Sequence, residues 1–380
     1  MKEERFLRTV SFLVDQSQHI ADPFMNRAYC LALLGAGATS PNPMVGCVLV
    51  RDGQVVGEGY HAAAGSPHAE AIALAQAGSR AKGATAYVTL EPCAHVGRTP
   101  SCAAALVAAG VTAVVIGMPD PNPVAAGGAS VLAASDIAVS FADDPTPFQS
   151  LNEEWLHHLA HGRPFVRVKV ALSLDGKLTS VLGTRCAITA EGGRQLTMRL
   201  RAMADAVMVG ASTAQIDDPA LTVRDADGAL FERQPVRVIL GRRDVPKVAL
   251  LEDGVGPVSV LLERTAPDPH LPAHVRLLRY PDGGGVKSAI EALGEAGICS
   301  LLVEAGPRLF SSLWNADMID ELVVVQAGGV LGPSAPSLFS DERAAEGRRL
   351  QCRMKPVESG VLLEDVVTIW RPYAVGRNEG

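Results

Sequence analysis

The stretch Pro67-His68-Ala69-Glu70, with Glu91-Pro92-Cys93 downstream and Cys102 beyond it, decides how this chain is read. One imidazole and two thiols in C-x8-C spacing supply three zinc ligands and leave the fourth position of a tetrahedral ion to water. Catalytic zinc sites keep such an opening, whereas structural ones close it. Zinc lowers the pKa of its water from about 15.7 toward about 7, and a carboxylate beside it, here Glu70, can carry protons to a leaving amine. His, a non-ligand Glu, Pro-Cys and a second Cys, in that order, point to hydrolytic deamination of an amino-pyrimidine-like ring. A structural zinc closed by His95 as fourth ligand is the competing reading.

The neighbouring sequence suits the site. Ser66 and Pro67 predict a helix start, with a hydroxyl cap and a proline at the first helical position, so that His68 and Glu70 fall in the first turn. The apolar run 85–90 predicts a buried strand that delivers Cys93 just past its end. Thr99 and Pro100 repeat the cap pattern and place Cys102 in another first turn, where the helix dipole favours a thiolate.

Farther out, residues 25–34 read as a helix, and 45–50 with 54–58 as a hairpin around Asp52-Gly53. An Ala-rich helix, a strand over 111–116 and a turn-rich stretch over 118–123 complete a three-layer α/β domain. Asp143 to Pro147 break the pattern, a helix with Trp155 follows, and the chain restarts as a strand at Phe165. The expected division is 1–24 as an extension, 25–150 as the zinc domain and 151–380 as a second α/β domain. In the latter, Ala206 to Gly210, Val236 to Leu240, Ser300 to Glu304 and Glu321 to Gln326 are strand candidates. No G-x-G-x-x-G follows a strand there; Glu304-Ala305-Gly306-Pro307 instead makes a strand-to-helix turn of the kind that can receive a phosphate.

Length is enough for two cores, and a net charge of -7 without clustered Lys or Arg argues against nucleic-acid binding. An RNA-editing role is therefore disfavoured. Seven cysteines form no disulfide framework, and Cys30, Cys47, Cys186, Cys299 and Cys352 read as thiols of a reducing compartment. The first twenty residues read as an amphipathic helix, no run approaches a membrane span, and the expected location is the cytoplasm. The sequence leaves homo-oligomer formation open.

Beyond these readings, the first domain resembles the riboflavin-pathway pyrimidine deaminases. The resemblance rests on Pro41-Asn42-Pro43, Gly59-Tyr60-His61, Pro67 to Glu70, Thr89 to His95 with Arg98, and Asp120-Pro121-Asn122-Pro123. It implies a cytidine-deaminase-like αβα fold, zinc on His68, Cys93 and Cys102, and a proton shuttle at Glu70. Asn42, His61, His95, Arg98, Asp120 and Asn122 would then hold the base and ribose phosphate.

The remainder resembles the reductase half of the bifunctional deaminase-reductases, through Lys169 with Ser173 to Lys177, Leu200 to Ala202, Thr213, Asp217 to Pro219, Leu221, Arg224 and Glu304 to Pro307. That resemblance implies a dihydrofolate-reductase-like α/β domain using NADPH. Lys169, Arg201, Leu221, Arg224 and Glu304 would face substrate; Ala171, Thr213, Asp217, Gly306, Pro307 and Arg308 would face the cofactor. The implied reactions are zinc-dependent deamination of a phosphoribosylamino-pyrimidine and NADPH-dependent reduction of its ribosyl chain. Two departures stand out. Arg185-Cys186-Ala187-Ile188-Thr189 replaces the family's Ser-x-Trp-Ile-Thr, and Gly241 replaces an Asp after Val236 to Leu240. They leave a deaminase with an altered or inactive reductase-like domain as the alternative.

Overall fold

The computed structural model describes residues 17–95, 101–181, 183–184, 187–339 and 354–373. The expected amphipathic helix at the start of the chain, Arg98, Arg185, Cys186 and Cys352 lie outside them. The chain divides into two compact units, Met1–Ala160 and His161–Gly380.

The first unit is built on five strands: β1 (Gly46–Arg51), β2 (Gln54–Tyr60), β3 (Thr85–Val88), β4 (Ala113–Ile116) and β5 (Ala138–Phe141), in the order β2-β1-β3-β4-β5. Asp52 and Gly53 take positive φ (51° and 73°), the geometry of a tight hairpin turn, and set Arg51 opposite Gln54. Alternation along β1 then serves two cores. Cys47 and Leu49 pack with α2 (Ala69–Ala77), α3 (Cys102–Ala108) and α4 (Gly128–Ala133), while Val48 and Val50 pack with α1 (Pro23–Ala32). This is the three-layer αβα arrangement. Gly46 has no room for a side chain, since a Cβ would stand 2.0 Å from the Ala28 carbonyl.

Two short helices, α5 (Thr146–Leu151) and α6 (Glu153–His161), follow β5. Phe148, Leu151 and Trp155 are buried in the same core as Met25 and Tyr29. The compact unit runs to Ala160, within about ten residues of the expected boundary near 150. Asn152 adds a clamp: its Oδ1 accepts from Met44 N (2.8 Å) and its Nδ2 donates to Met44 O (3.0 Å).

The second unit contains a nine-stranded sheet. Its strands are β6 (Phe165–Leu172), β7 (Ala206–Gly210), β8 (Val236–Leu240), β9 (Val258–Glu263), β10 (Val275–Tyr280), β11 (Ser300–Glu304), β12 (Glu321–Gln326), β13 (Met354–Leu362) and β14 (Asp365–Pro372), ordered β10-β9-β8-β7-β11-β6-β12-β14-β13. All pairings from β10 to β12 are parallel, and the β13–β14 hairpin closes the edge antiparallel. The helices needed here are α7 (Glu191–Met203), α8 (Ala211–Asp217), α9 (Gly285–Glu295) and α10 (Pro307–Asn315). The carboxyl ends of β7, β11 and β6 lie side by side, the edge where parallel α/β sheets take their ligands.

Asp365, at the start of β14, caps α7 from a distance: its carboxylate accepts from Ala190 N (3.1 Å) and Gly193 N (2.8 Å). The hairpin presses close enough that a Cβ on Gly192 would meet Leu362 O at 2.0 Å.

Candidate active sites

The zinc ligands converge from three elements. Ser66 does not cap the helix: its hydroxyl accepts from Ala63 N and donates to Ala63 O, closing a turn. His68 is the cap residue, extended at φ -70° and ψ 158°, so α2 starts two residues later than the sequence suggested and Glu70 alone of the pair lies in its first turn. Cys102 is the first residue of α3, capped by Ser101 Oγ, which accepts from Ala104 N (3.2 Å). The expected Thr99-Pro100 cap lies outside the described residues. Cys93 sits beyond β3, where Cys102 N points at its sulfur (3.4 Å).

The geometry fits the metal. His68 Nδ1 lies 3.2 Å from Cys102 Sγ and 3.8 Å from Cys93 Sγ, and the three ligand atoms fall within 4.8 Å of one another. Tetrahedral zinc with Zn–S near 2.3 Å and Zn–N near 2.0 Å requires N···S edges of about 3.6 Å. Among the described residues His95 does not join this group and is exposed, which removes support from the closed structural reading.

Electrostatics favour ligation. A hydrogen bond from Cys102 pulls the Cys93 thiol down to about 4, with help from His68 against the cost of burial, while the partner Cys102 is pushed up because it keeps the shared proton. Glu70 is 3% exposed, and burial raises its carboxyl above the ordinary range.

Above the ligands lies a cavity of about 140 Å³, walled by Asn42, His61, Glu70, Glu91, Asp120, Asn122 and Trp155 among others. His61 Nδ1 is 3.2 Å from Pro67 O and must donate to it, which leaves Nε2 to accept from Asn42 Nδ2 at 3.1 Å. Burial lowers the His61 pKa, in keeping with that neutral tautomer. Asp120 Oδ1 accepts from Asn122 N (2.8 Å), and burial raises the Asp120 carboxyl. Thus Asn42, His61, Asp120 and Asn122 line the cavity, His95 does not, and Arg98 is outside the described residues.

Sequence reasoning gave no role to two further residues. Buried Glu91 accepts from Asp120 N (3.1 Å) through Oε2 and from Gly127 N and Ala129 N (3.1 and 2.9 Å) through Oε1, fixing the loop that carries Asp120 and Asn122. Glu91 stands beside Pro92 and Cys93 in the motif, a signal that could have drawn attention. Trp155 comes from α6 and carried no local signal.

In the second unit Thr213 and Asp217 lie on α8, the helix that follows β7, Gly306, Pro307 and Arg308 lie where β11 passes into α10, and Ala171 stands near the end of β6. Gly306 caps α10, and a Cβ there would meet Thr213 Oγ1 at 2.7 Å, so two of the expected cofactor residues touch. The nine-residue α10 begins at Pro307 with its first amides free of helical partners, a place suited to phosphate of NADPH. Arg201 and Glu304 pair with each other by two hydrogen bonds, and Arg201 Nη1 also donates to Thr222 O (2.8 Å). Lys169 lies opposite Glu304 in the β6–β11 register, and burial lowers its pKa. Arg224 is exposed, with Nη1 on Gly228 O (2.8 Å). Leu221 is fully buried at φ 52°, so its backbone, not its side chain, is what it can offer a ligand.

Three ligands and a buried carboxylate under a small cavity, in a chain whose other unit gathers cofactor-type turns at one sheet edge, define a zinc-dependent deaminase joined to a reductase. The family models agree: residues 19–118 match the cytidine and deoxycytidylate deaminase zinc-binding region, and residues 164–368 match the RibD C-terminal domain. Riboflavin biosynthesis protein RibD of Escherichia coli is 42% identical over 331 residues, covering 83% of this chain and 89% of its own; that of Aquifex aeolicus is 39% identical, covering 92% and 98%. Acinetobacter baumannii RibD (form 1) superposes with a TM-score of 0.82 at 38% identity over 95% of this chain and 100% of its own. A diaminohydroxyphosphoribosylaminopyrimidine deaminase/5-amino-6-(5-phosphoribosylamino)uracil reductase from Thermotoga maritima gives 0.82 at 31% identity over 98% and 100%. The chain belongs to the RibD family of riboflavin biosynthesis proteins. It combines the deaminase and reductase activities of that pathway, with zinc and NADPH as cofactors and a small molecule as substrate. The deaminase-only alternative finds no support, because the reductase-domain match runs through almost the whole second unit.

Proposed function

We propose that the substrate is 2,5-diamino-6-(5-phosphoribosylamino)pyrimidin-4-one, deaminated in the first unit and then reduced in the second from a ribosyl to a ribityl chain. The observation that carries the first step is buried Glu70 beside the His68, Cys93 and Cys102 cluster on the floor of a cavity of pyrimidine size. Zinc, when bound, supplies the Lewis acidity that brings the pKa of water toward about 7. Glu70 takes a proton from the attacking water and returns one to the exocyclic amine, so that water enters and ammonia leaves. Its raised pKa suits a group that must both accept and give a proton near neutrality. Asn42, ordered by His61, presents its amide to the pyrimidine edge, with Asp120 and Asn122 on the opposite loop. His95 and Arg98 take the ribose phosphate.

NADPH, when bound, supplies the hydride for the second step. Thr213, Asp217, Ala171 and the Gly306-Pro307-Arg308 turn seat it, and Lys169, Arg201, Leu221, Arg224 and Glu304 orient the phosphoribosyl chain. The adjacency of the β6, β7 and β11 ends supports this division. Incubating the purified protein with the diamino substrate, with and without NADPH, tests both steps: ammonia and the aminouracil are expected without NADPH, the ribityl product with it. Ammonia release without NADPH oxidation under any condition would retain the first step alone.

Among the described residues no helix is long and apolar enough to cross a membrane. The proposed setting is the cytoplasm, with a small metabolite as substrate, and the net charge of -7 weighs against a nucleic-acid partner. Homo-oligomer formation is part of the proposal and is tested by sedimentation.

A further inference from the structure

We infer that Trp155 is a substrate-positioning residue of the deaminase, its indole N–H donating to an acceptor on the bound pyrimidine. The inference rests on the reading of the first unit given under Proposed function. Trp155 is 7% exposed, buried in the core that holds Met25, Tyr29 and Phe148, and it lines the same cavity as Asn42, His61 and Glu70. Among the described residues no protein group accepts its Nε1–H. Buried donors find partners almost without exception, because an unmade hydrogen bond in a low-dielectric site is costly. The indole nitrogen is not among the sealed polar atoms, and Trp155 lines the cavity.

The placement of the ring is rigid. One turn earlier Asn152 grips Met44 through both amide atoms, at 2.8 and 3.0 Å, which ties α6 to the loop that carries Asn42. Any pyrimidine seated over Glu70 therefore meets Asn42 and Trp155 as parts of one wall. A carbonyl oxygen or unprotonated ring nitrogen of the substrate supplies the acceptor, and the indole face adds apolar area beside it. The match to the deaminase zinc-binding region ends at residue 118, so this contact comes from outside the segment that carries the metal motif.

Trp155→Phe in the full-length zinc-loaded protein tests the assignment, since it keeps an aromatic ring and removes the N–H. The expected result is a rise in KM for deamination of about three- to ten-fold, the cost of one hydrogen bond, with kcat within about two-fold and zinc content unchanged. A second readout is tryptophan fluorescence of the non-turning Glu70→Gln protein titrated with the diamino substrate, a saturable change that Trp155→Phe abolishes. An unchanged KM together with a fluorescence response that survives Trp155→Phe overturns the assignment. A parent protein that releases no ammonia from the diamino substrate sinks instead the reading on which it rests. A variant that loses zinc or its folded transition makes Trp155 a packing residue and also overturns the assignment.

Discussion

Arg201 and Glu304, 103 residues apart in the chain, hold each other in a two-point ion pair: Nε donates to Oε1 at 2.6 Å and Nη2 to Oε2 at 3.0 Å. Burial alone would raise the Glu304 carboxyl, but Arg201 and then Lys169 outweigh it and leave the group below the ordinary range. The pair is therefore a preformed unit, and under the proposed function its outer edges, with Lys169, would meet the substrate. Glu304→Gln should strand two cations in a buried site, costing about 3 kcal/mol of stability. Reduction should fall steeply while ammonia release continues. The folded pKa is depressed, so this stabilisation is complete above the unfolded value of about 4.3 and fades as pH falls through the folded one. Unfolding midpoints of parent and variant should then converge below about pH 4; a constant difference down to pH 3 would count against the pair.

Glu70→Gln should keep zinc and lower deamination by about a hundred-fold or more, the usual contribution of a positioned acid-base group. Cys93→Ala and Cys102→Ala should lose the metal and destabilise the first unit. Metal analysis beside ammonia assays separates the two effects. Full activity in Glu70→Gln would end the proton-shuttle role.

Glu91 offers a different test, because both its carboxylate oxygens are taken up by backbone amides and it acts through the loop of Asp120 and Asn122. A glutamine there must turn an NH2 toward at least one of the amides of Asp120, Gly127 and Ala129 that now donate to the carboxylate. Glu91→Gln should raise KM for the deaminase substrate by about ten-fold or more and lower stability by about 1–3 kcal/mol, with zinc retained. Unaltered kinetics in a stable, zinc-loaded variant would dismiss the loop role.

Much of this could be read in advance, for local reasons. The strands Phe165–Leu172, Ala206–Gly210, Val236–Leu240, Ser300–Glu304 and Glu321–Gln326 stand where their apolar runs placed them, because runs buried on both faces and bounded by turn residues have few other solutions. The C-x8-C spacing brought both sulfurs to the imidazole for a similar reason, each being tied to the end of a short element. What escaped the sequence is long-range. Asp143 to Pro147 reads as a linker, yet Phe148, Leu151 and Trp155 bury against α1, and only tertiary packing makes α6 part of the first unit. Ser66 offered the helix start, but its hydroxyl is taken by the turn with Ala63 and the cap falls at His68. The Arg201–Glu304 pair depends on which strand neighbours which, a matter of topology.

Asp175 links two loops of the second unit. Its carboxylate accepts from Ser173 Oγ (2.6 Å), Leu331 N (3.1 Å) and Gly332 N (2.8 Å), and these bonds, the one from Ser173 foremost, hold its pKa down at about 2. A depressed carboxylate contributes above its unfolded pKa of about 3.9 and loses that contribution as pH falls toward 2. Hydrogen exchange at Leu331 and Gly332 should therefore quicken in Asp175→Asn at pH 7, and in the parent protein under acid pulse labelling between pH 4 and 2. Equal protection in parent and variant would dissolve the link.

Ala187 and Gly241 are the two departures from the family pattern that bear on the reductase. Ala187 is exposed at the position where the resemblance to the family implies an indole, and on that reading the lost apolar area, at about 25 cal/mol per Å², costs roughly 1–3 kcal/mol, or about ten- to a hundred-fold in affinity. Gly241 is a different kind of departure: a Cβ there would meet Asp244 O at 2.5 Å and Leu262 Cδ2 at 2.8 Å, because the chain folds back over it. Restoring the two residues should thus have opposite results. Ala187→Trp should tighten NADPH binding by about ten-fold with little change in stability, whereas Gly241→Asp should destabilise the unit by roughly 1–3 kcal/mol through overpacking. NADPH titration of the folded proteins, followed by nucleotide fluorescence, measures the first, and thermal unfolding the second. A parent protein that binds NADPH no more weakly than Ala187→Trp would show that the exposed turn at residue 187 takes no part in the cofactor wall.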